Sequence, residues 1–338
     1  MDMLAKISRR RMIELAATAG LAPAMLGTRP GIAAQMTQKI ESFDPALANI
    51  LDTSQPIRIL AEGYGGPNGQ AEGPVWWSDG GYLLFSDIDK SRRIKYTPGA
   101  GVSVAAENTN RGNGLTRDRQ GRLVVCEADA RRVTRIEKDG SVTVIAGGYQ
   151  GKQLGRPNDV VVKSDGSIYF TDPQGGASGE PWAVTGPGVY RVSADLGAIN
   201  LLTGDLLAPN GLAFSPDESV LYIDDSQRRN VRAFDVAPNG LLVKRSDRVF
   251  VDLNGAEGGV PDGMKVDVEG NVYTGGPGGL YIMDKTGKKL GRIVHGGPNT
   301  TNMAFGGADW KTLYFTSRNF LGAVNVKIPG MPVPARKA

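Results

Sequence analysis

The 338-residue sequence predicts an all-β chain, a six-bladed β-propeller with a short N-terminal signal and lead-in segment, on three observations. First, a phrase repeats: a polar opener, a short apolar run and a turn residue. Glu72 precedes Asp79-Gly80, Asn158 precedes Asp165-Gly166, Asn210 precedes Asp217 and Asp262 precedes Glu269-Gly270, always seven positions apart. Each opener therefore holds the same phase of the same kind of strand. Second, looser copies at Asn113 to Asp118 and Asn302 to Asp309 bring the count to six, and the openers follow one another at intervals of 40 to 52 residues. That is the period of propeller blades rather than of helical solenoids. Third, the 47 glycines suit many short turns, and a 40% hydrophobic fraction is enough for cores between neighbouring sheets. The innermost strands of a propeller line a central channel, so six openers at one phase converge there.

Residues 1–34 read as an address. Ser8-Arg9-Arg10-Arg11-Met12-Ile13 precedes a mildly apolar stretch from Leu15 to Leu26, with small residues at Gly31, Ala33 and Ala34. This resembles a twin-arginine export signal, which predicts a periplasmic or exported protein and the twin-arginine machinery as a partner; the structural alternative is a helical or disordered extension. The apolar run is too short to span a bilayer, so stable membrane insertion is not expected. The segment also carries +3 of the formal charge of +4. The rest is nearly neutral, without the basic stripe that nucleic-acid binding needs.

Residues 35–56 read as a lead-in to the ring, 57–328 as the propeller and 329–338 as a tail. The strand Ile57 to Leu60 has no turn partner, and the last unit supplies only Asn302 to Phe305, Leu313 to Ser317 and Ala323 to Val326. The early strand is expected to complete the final blade, which would remove both exposed edges. Second strands are expected at Leu83 to Asp87, Leu123 to Glu127, Ile168 to Asp172, Leu221 to Asp225 and Val272 to Thr274. Third strands follow at Ile94 to Tyr96, Val133 to Ile136, Gly188 to Val192, Val231 to Asp235 and Gly279 to Met283. The spacers Pro173 to Pro187 and Asn254 to Val260 are candidate loops over one mouth, the first glycine-rich enough to move.

If Glu72, Asn158, Asn210 and Asp262 meet on the axis, two carboxylates and two amide oxygens make an all-oxygen nest with a charge of −2. Dehydrated, it calls for a cation. Such donors suit Ca²⁺ best, or Mg²⁺ and Mn²⁺ with retained water. With one histidine (His295) and one cysteine (Cys126), a His/Cys zinc site is not expected, and zinc held by carboxylates stays a lesser candidate. Taken singly, Asn-Gly and Asp-Gly are common hairpin turns; four openers locked in phase argue for a site. No G-x-S-x-G, H-E-x-x-H or P-loop pattern occurs, His295 reads as a turn residue and Cys126 as a small buried hydrophobe.

The phrases Ala71-Glu72-Gly73-Pro74-Val75-Trp76, Arg156-Pro157-Asn158-Asp159, Ala208-Pro209-Asn210-Gly211 through Asp217 and Val260-Pro261-Asp262-Gly263-Met264 together resemble the senescence-marker/gluconolactonase/luciferin-regenerating-enzyme family, SMP-30 and regucalcin included. The resemblance implies a six-bladed propeller with one divalent cation held by Glu72, Asn158, Asn210 and Asp262, and hydrolysis of a sugar lactone or related ester. It also implies Arg111, Asn113 and Glu127 as substrate-binding residues and Asp262 as the general base acting on a water made acidic by the cation. Cys126-Glu127 is followed by Ala128-Asp129, where relatives carry His-Gly, a departure that bears on specificity. Phosphotriesterase-like hydrolysis, strictosidine-synthase-like chemistry and non-catalytic sugar binding are the competing readings.

Overall fold

The computed structural model describes residues 38–67, 69–174 and 183–334. The segment read as an export signal and the centre of the 173–187 loop lie outside the described residues. Among those described, no helix is long and apolar enough to cross a membrane.

Six antiparallel sheets form the blades. Their inner strands are Ala71–Trp77, Gly112–Arg117, Val160–Val162, Pro209–Phe214, Met264–Val266 and Thr300–Gly306. Blade 3 shows why these sequences make strands. Ile168 and Phe170 face a core shared with blade 2, while Tyr169 between them faces a core shared with blade 4. The strand is buried on both faces, apolar over Ile168, Tyr169 and Phe170, with Thr171 and Asp172 buried through hydrogen bonds at its end. Each of the six hydrophobic clusters lies between two neighbouring blades, and together they run round the ring.

The ring closes by joining distant parts of the chain. Arg58–Glu62 pairs antiparallel with Phe320–Asn325 and supplies the fourth strand of blade 6. The lead-in does more than wind toward the ring. Lys39–Ser42 adds a fifth strand to blade 5 against Lys289–Val294, held by Arg292, whose Nε donates to Glu41 Oε2 over 2.8 Å. A short helix, Leu47–Ile50, then buries Leu47 and Ile50 in the core between blades 5 and 6. With one apolar residue in Lys-Ile-Glu-Ser, that strand leaves no alternation to read in the sequence.

The chain crosses the far mouth of the channel near its C-terminal end. Val268 N–H donates to Pro329 O at 3.0 Å, Gly330 N–H to Trp310 O at 3.0 Å and Met331 N–H to Val266 O at 3.1 Å. Met331, Pro332 and Val333 thereby join Val75, Leu115, Val160 and Phe305 around a mainly apolar cavity of about 100 Å³ that Arg117, Glu218 and Lys265 also line. None of the expected metal ligands lines it.

Candidate active site

The openers sit at the other end of the same inner strands. Four are followed by glycine, and the packing explains why. A Cβ on Gly73 would come 2.3 Å from Asn113 O, and one on Gly211 would come 2.4 Å from Asp262 O. Neighbouring inner strands thus approach backbone to backbone, which only glycine allows. These pairs are not hairpin turns. Register shifts between Glu72 and Val75, Gly112 and Leu115, and Pro209 and Leu212 put bulges at the openers, a device that re-aims side chains.

Three of the four expected ligands meet at the hub. Asp262, 4% exposed, contacts the Asn210 amide and the Glu72 carboxylate. Glu72 is 1% exposed and accepts from Asn302 Nδ2 at 3.1 Å. Burial first, then the charges of Asp262 and Asp159, push Glu72 well above the ordinary carboxylate range; burial first, then Asp159, does the same to Asp262. Packed carboxylates without a counter-charge show this direction. Asn158 stands in the adjoining pocket wall, its carbonyl accepting from Gly114 N–H at 2.8 Å.

The hub holds more acid than the two expected carboxylates. Asn302 Nδ2 also donates to Asp159 Oδ2 at 3.1 Å, and its Oδ1 accepts from Lys265 Nζ at 3.2 Å. Asp224, on the second strand of blade 4, is fully buried and raised by burial and by the charges of Asp262 and Asp159. The Gly211 amide pulls the other way without reaching hydrogen-bonding geometry. Asp159 directly follows an opener, and Asp224 interrupts the run Leu221-Tyr222-Ile223. A charge inside a strand meant for burial was the available signal in the sequence.

Arg111, Asn113 and Asn158 line one pocket of about 370 Å³ with Gln70, Arg156 and Arg318. Arg111 is held in a left-handed conformation, φ 50°, with its N–H on Ser91 Oγ at 2.9 Å and its Nε 3.8 Å from Asp129 Oδ1. Asn113 Oδ1 is buried without a hydrogen-bond partner. Pro173 and Gln174, at the start of the first candidate loop, also line this pocket; the Asn254 to Val260 loop does not.

Glu127 is not part of the pocket. Its Oε2 accepts from Asn110 Nδ2 at 2.9 Å and Arg132 Nε at 2.7 Å, and its Oε1 from Thr134 Oγ1 at 2.8 Å. It occupies the last position of its strand, as Asp87, Asp172 and Asp225 do in theirs. Those acids hold the loop entering each blade: Asp172 accepts from Gly155 N–H at 2.6 Å, and Asp225 from Leu207 N–H at 2.8 Å. Glu127 thereby bonds within its own blade, next to Ala128 of the pocket wall. His295 follows its strand at the bend before Gly296 and is buried there. It stacks on Phe315 with centroids 5.1 Å apart, and burial lowers its pKa to about 4. It accepts from Gly297 N–H at Nδ1, which leaves Nε2–H to donate to Thr300 Oγ1 at 2.7 Å.

The residues present fit a divalent cation. Asn210 Nδ2 is anchored to Ser226 Oγ at 3.2 Å while its Oδ1 is buried with no hydrogen-bond partner, as a ligand oxygen would be. Among the described residues no three His, Cys, Asp or Glu side chains are grouped to hold an ion by themselves. The donors are all hard oxygens.

Residues 70–319 match the SMP-30/Gluconolactonase/LRE-like region. The chain belongs to this family. A gluconolactonase from Zymomonas mobilis is 32% identical, covering 86% of this chain and 87% of its own. A pentonolactonase from Haloferax volcanii is 30% identical over 73% of this chain and 80% of its own. Among solved structures, a gluconolactonase from Xanthomonas campestris superposes with a TM-score of 0.75 at 31% identity, covering 85% of this chain and 95% of that one. A calcium-binding regucalcin from Agrobacterium tumefaciens, at 20% identity and a TM-score of 0.68 over 84% of this chain and 98% of that one, shares the fold.

Proposed function

We propose that this SMP-30/gluconolactonase-family protein hydrolyses a sugar lactone, with one divalent cation, Ca²⁺ before Mg²⁺, Mn²⁺ or Zn²⁺, held by Glu72, Asn158, Asn210 and Asp262. The observation that carries the reading is the meeting of Glu72 and Asn210 at Asp262, with Asn210 Oδ1 buried and unpartnered, next to a pocket walled by Arg111 and Asn113. The gluconolactonase and pentonolactonase relatives support the substrate class.

Bound there, the cation would polarise the lactone carbonyl and acidify a water. Asp262 takes the water's proton at a carboxylate oxygen as the water oxygen bonds to the acyl carbon. The bond from acyl carbon to ring oxygen then breaks, and the proton goes to the departing ring oxygen, leaving an open hydroxy acid. Arg111, steadied by Asp129, and the free carbonyl end of Asn113 orient the ring substituents in the adjoining pocket. The twin-arginine-like start leads us to place this chemistry outside the cytoplasm, which fractionation of cells producing the full chain tests.

The deciding experiment follows acid release from a panel of aldonolactones by native protein, chelator-treated protein and protein reloaded with Ca²⁺, with an organophosphate triester in parallel. Chelation is expected to abolish lactone hydrolysis and Ca²⁺ to restore it. Chelator-resistant turnover, faster turnover of the triester, or lactone binding without acid release would each overturn the reading.

A further inference from the structure

The second strands of blades 1, 3 and 4 end alike, in Ser86-Asp87, Thr171-Asp172 and Asp224-Asp225. The last residue of each holds its own blade's incoming loop. The residue before it faces the neighbouring blade. Ser86 Oγ donates to Asn113 O at 2.7 Å, and Thr171 Oγ1 donates to Asn210 O at 2.7 Å. A hydroxyl in each case ties one blade to the opener of the next.

In blade 4 the corresponding residue is Asp224, and the next opener is Asp262. A Cβ on Gly211 would lie 2.4 Å from Asp262 O and 2.7 Å from Asp224 Oδ2, so both oxygens crowd the same glycine. The chemistry differs: where Ser86 and Thr171 carry a hydroxyl that bonds the next opener's carbonyl, blade 4 carries a carboxyl group that makes no such rung. Asp224 is 0% exposed, and neither of its oxygens has a hydrogen-bond partner. The Lys265 ammonium, entering from the far mouth, bonds Asn302 and Met264 O, which places it on the Glu72 and Asp159 side of the hub.

A dry, unpaired carboxylate is destabilising in any fold, and a serine or threonine would have served the packing better. A positive charge at the hub would offset that cost. Coulomb attraction needs no direct bond, and it acts over several ångströms in a site closed to water. We propose that Asp224 is an outer carboxylate of the hub: standing outside the four ligands, it strengthens binding of a divalent cation while weakening the cation-free fold. The inference rests on the cation site proposed above and adds to it the residue that sets its affinity.

The test uses full-length protein freed of metal by chelation, as wild type, Asp224→Asn and Asp224→Thr, with Ca²⁺ as the probe. Calorimetric titration measures affinity, and thermal unfolding of the metal-free protein measures stability. Both variants are expected to bind Ca²⁺ more weakly, by roughly tenfold or more. Both should melt at higher temperature than wild type without metal, Asp224→Thr most of all because it restores the hydroxyl rung. Wild-type Ca²⁺ affinity in both variants would overturn the role of Asp224 and leave the four-ligand site standing. Lower metal-free melting or failure to fold in both variants would make Asp224 a structural acid and overturn it equally. A wild-type protein that takes up no Ca²⁺ would remove the cation reading itself, and this inference with it.

Discussion

The two ends of the channel are made by the same six inner strands and are chemically opposite. At one end Glu72, Asp159, Asp224 and Asp262 are packed with too few counter-charges, and burial drives Glu72, Asp224 and Asp262 toward the protonated form. At the other, Val75, Leu115, Val160 and Phe305 face a mainly apolar cavity closed by Met331 and Val333. A few residues along each strand separate the two environments. The difference teaches where this fold keeps its stability and where it gives some up: one end is arranged for packing, the other gathers buried carboxyl groups that packing alone would not favour.

Substitutions can break or sharpen that contrast. The largest effect is expected from Asp262→Asn, which keeps the side chain's size and removes its basicity. Lactone turnover should fall by about a thousandfold or more while the circular dichroism spectrum stays that of a folded β protein. Wild-type turnover would show that the polar end is not catalytic through Asp262. At the apolar end, Phe305→Ala removes a ring buried against Tyr273, centroids 5.1 Å apart. It should cost about 3 to 5 kcal/mol in denaturant unfolding and leave Ca²⁺ affinity near wild type. A large loss of Ca²⁺ affinity in the folded variant would mean that the two ends are coupled. The smallest effect is expected from Glu127→Gln, which weakens the charged bonds to Arg132 and Asn110. It should lower stability by about 1 to 2 kcal/mol and leave the KM for lactone unchanged; a raised KM with unaltered stability would return Glu127 to the pocket.

Much of the architecture was legible beforehand, because strand phase and turn spacing are local properties of a chain. Ile168–Asp172 and Gly279–Met283 could be read to the residue, since an apolar run bounded by turn residues has few other uses. The strand Lys39–Ser42 could not, because its place depends on Lys289–Val294, some 250 positions later, and not on its own pattern. Within the site, Glu72, Asn210 and Asp262 were legible as members of one repeat. Asn302 was legible as a looser copy of it, whereas Asp159, Asp224 and Lys265 needed the ring. Each belongs to the hub through a neighbour from another blade, as Asn302 does in bridging Glu72 and Asp159.

By itself the sequence determined the blade period, the phase of the openers and their carboxylate or amide character, all of which follow from covalent spacing and side-chain type. Only the tertiary structure decided which carboxylates share the hub, that Glu127 serves its own blade, and that Asp224 lacks a donor where Ser86 and Thr171 are donors. The physical reason is ring closure. It brings every blade's first residues within bonding reach of the next blade's, and the energy of a buried charge depends on those neighbours rather than on its position along the chain.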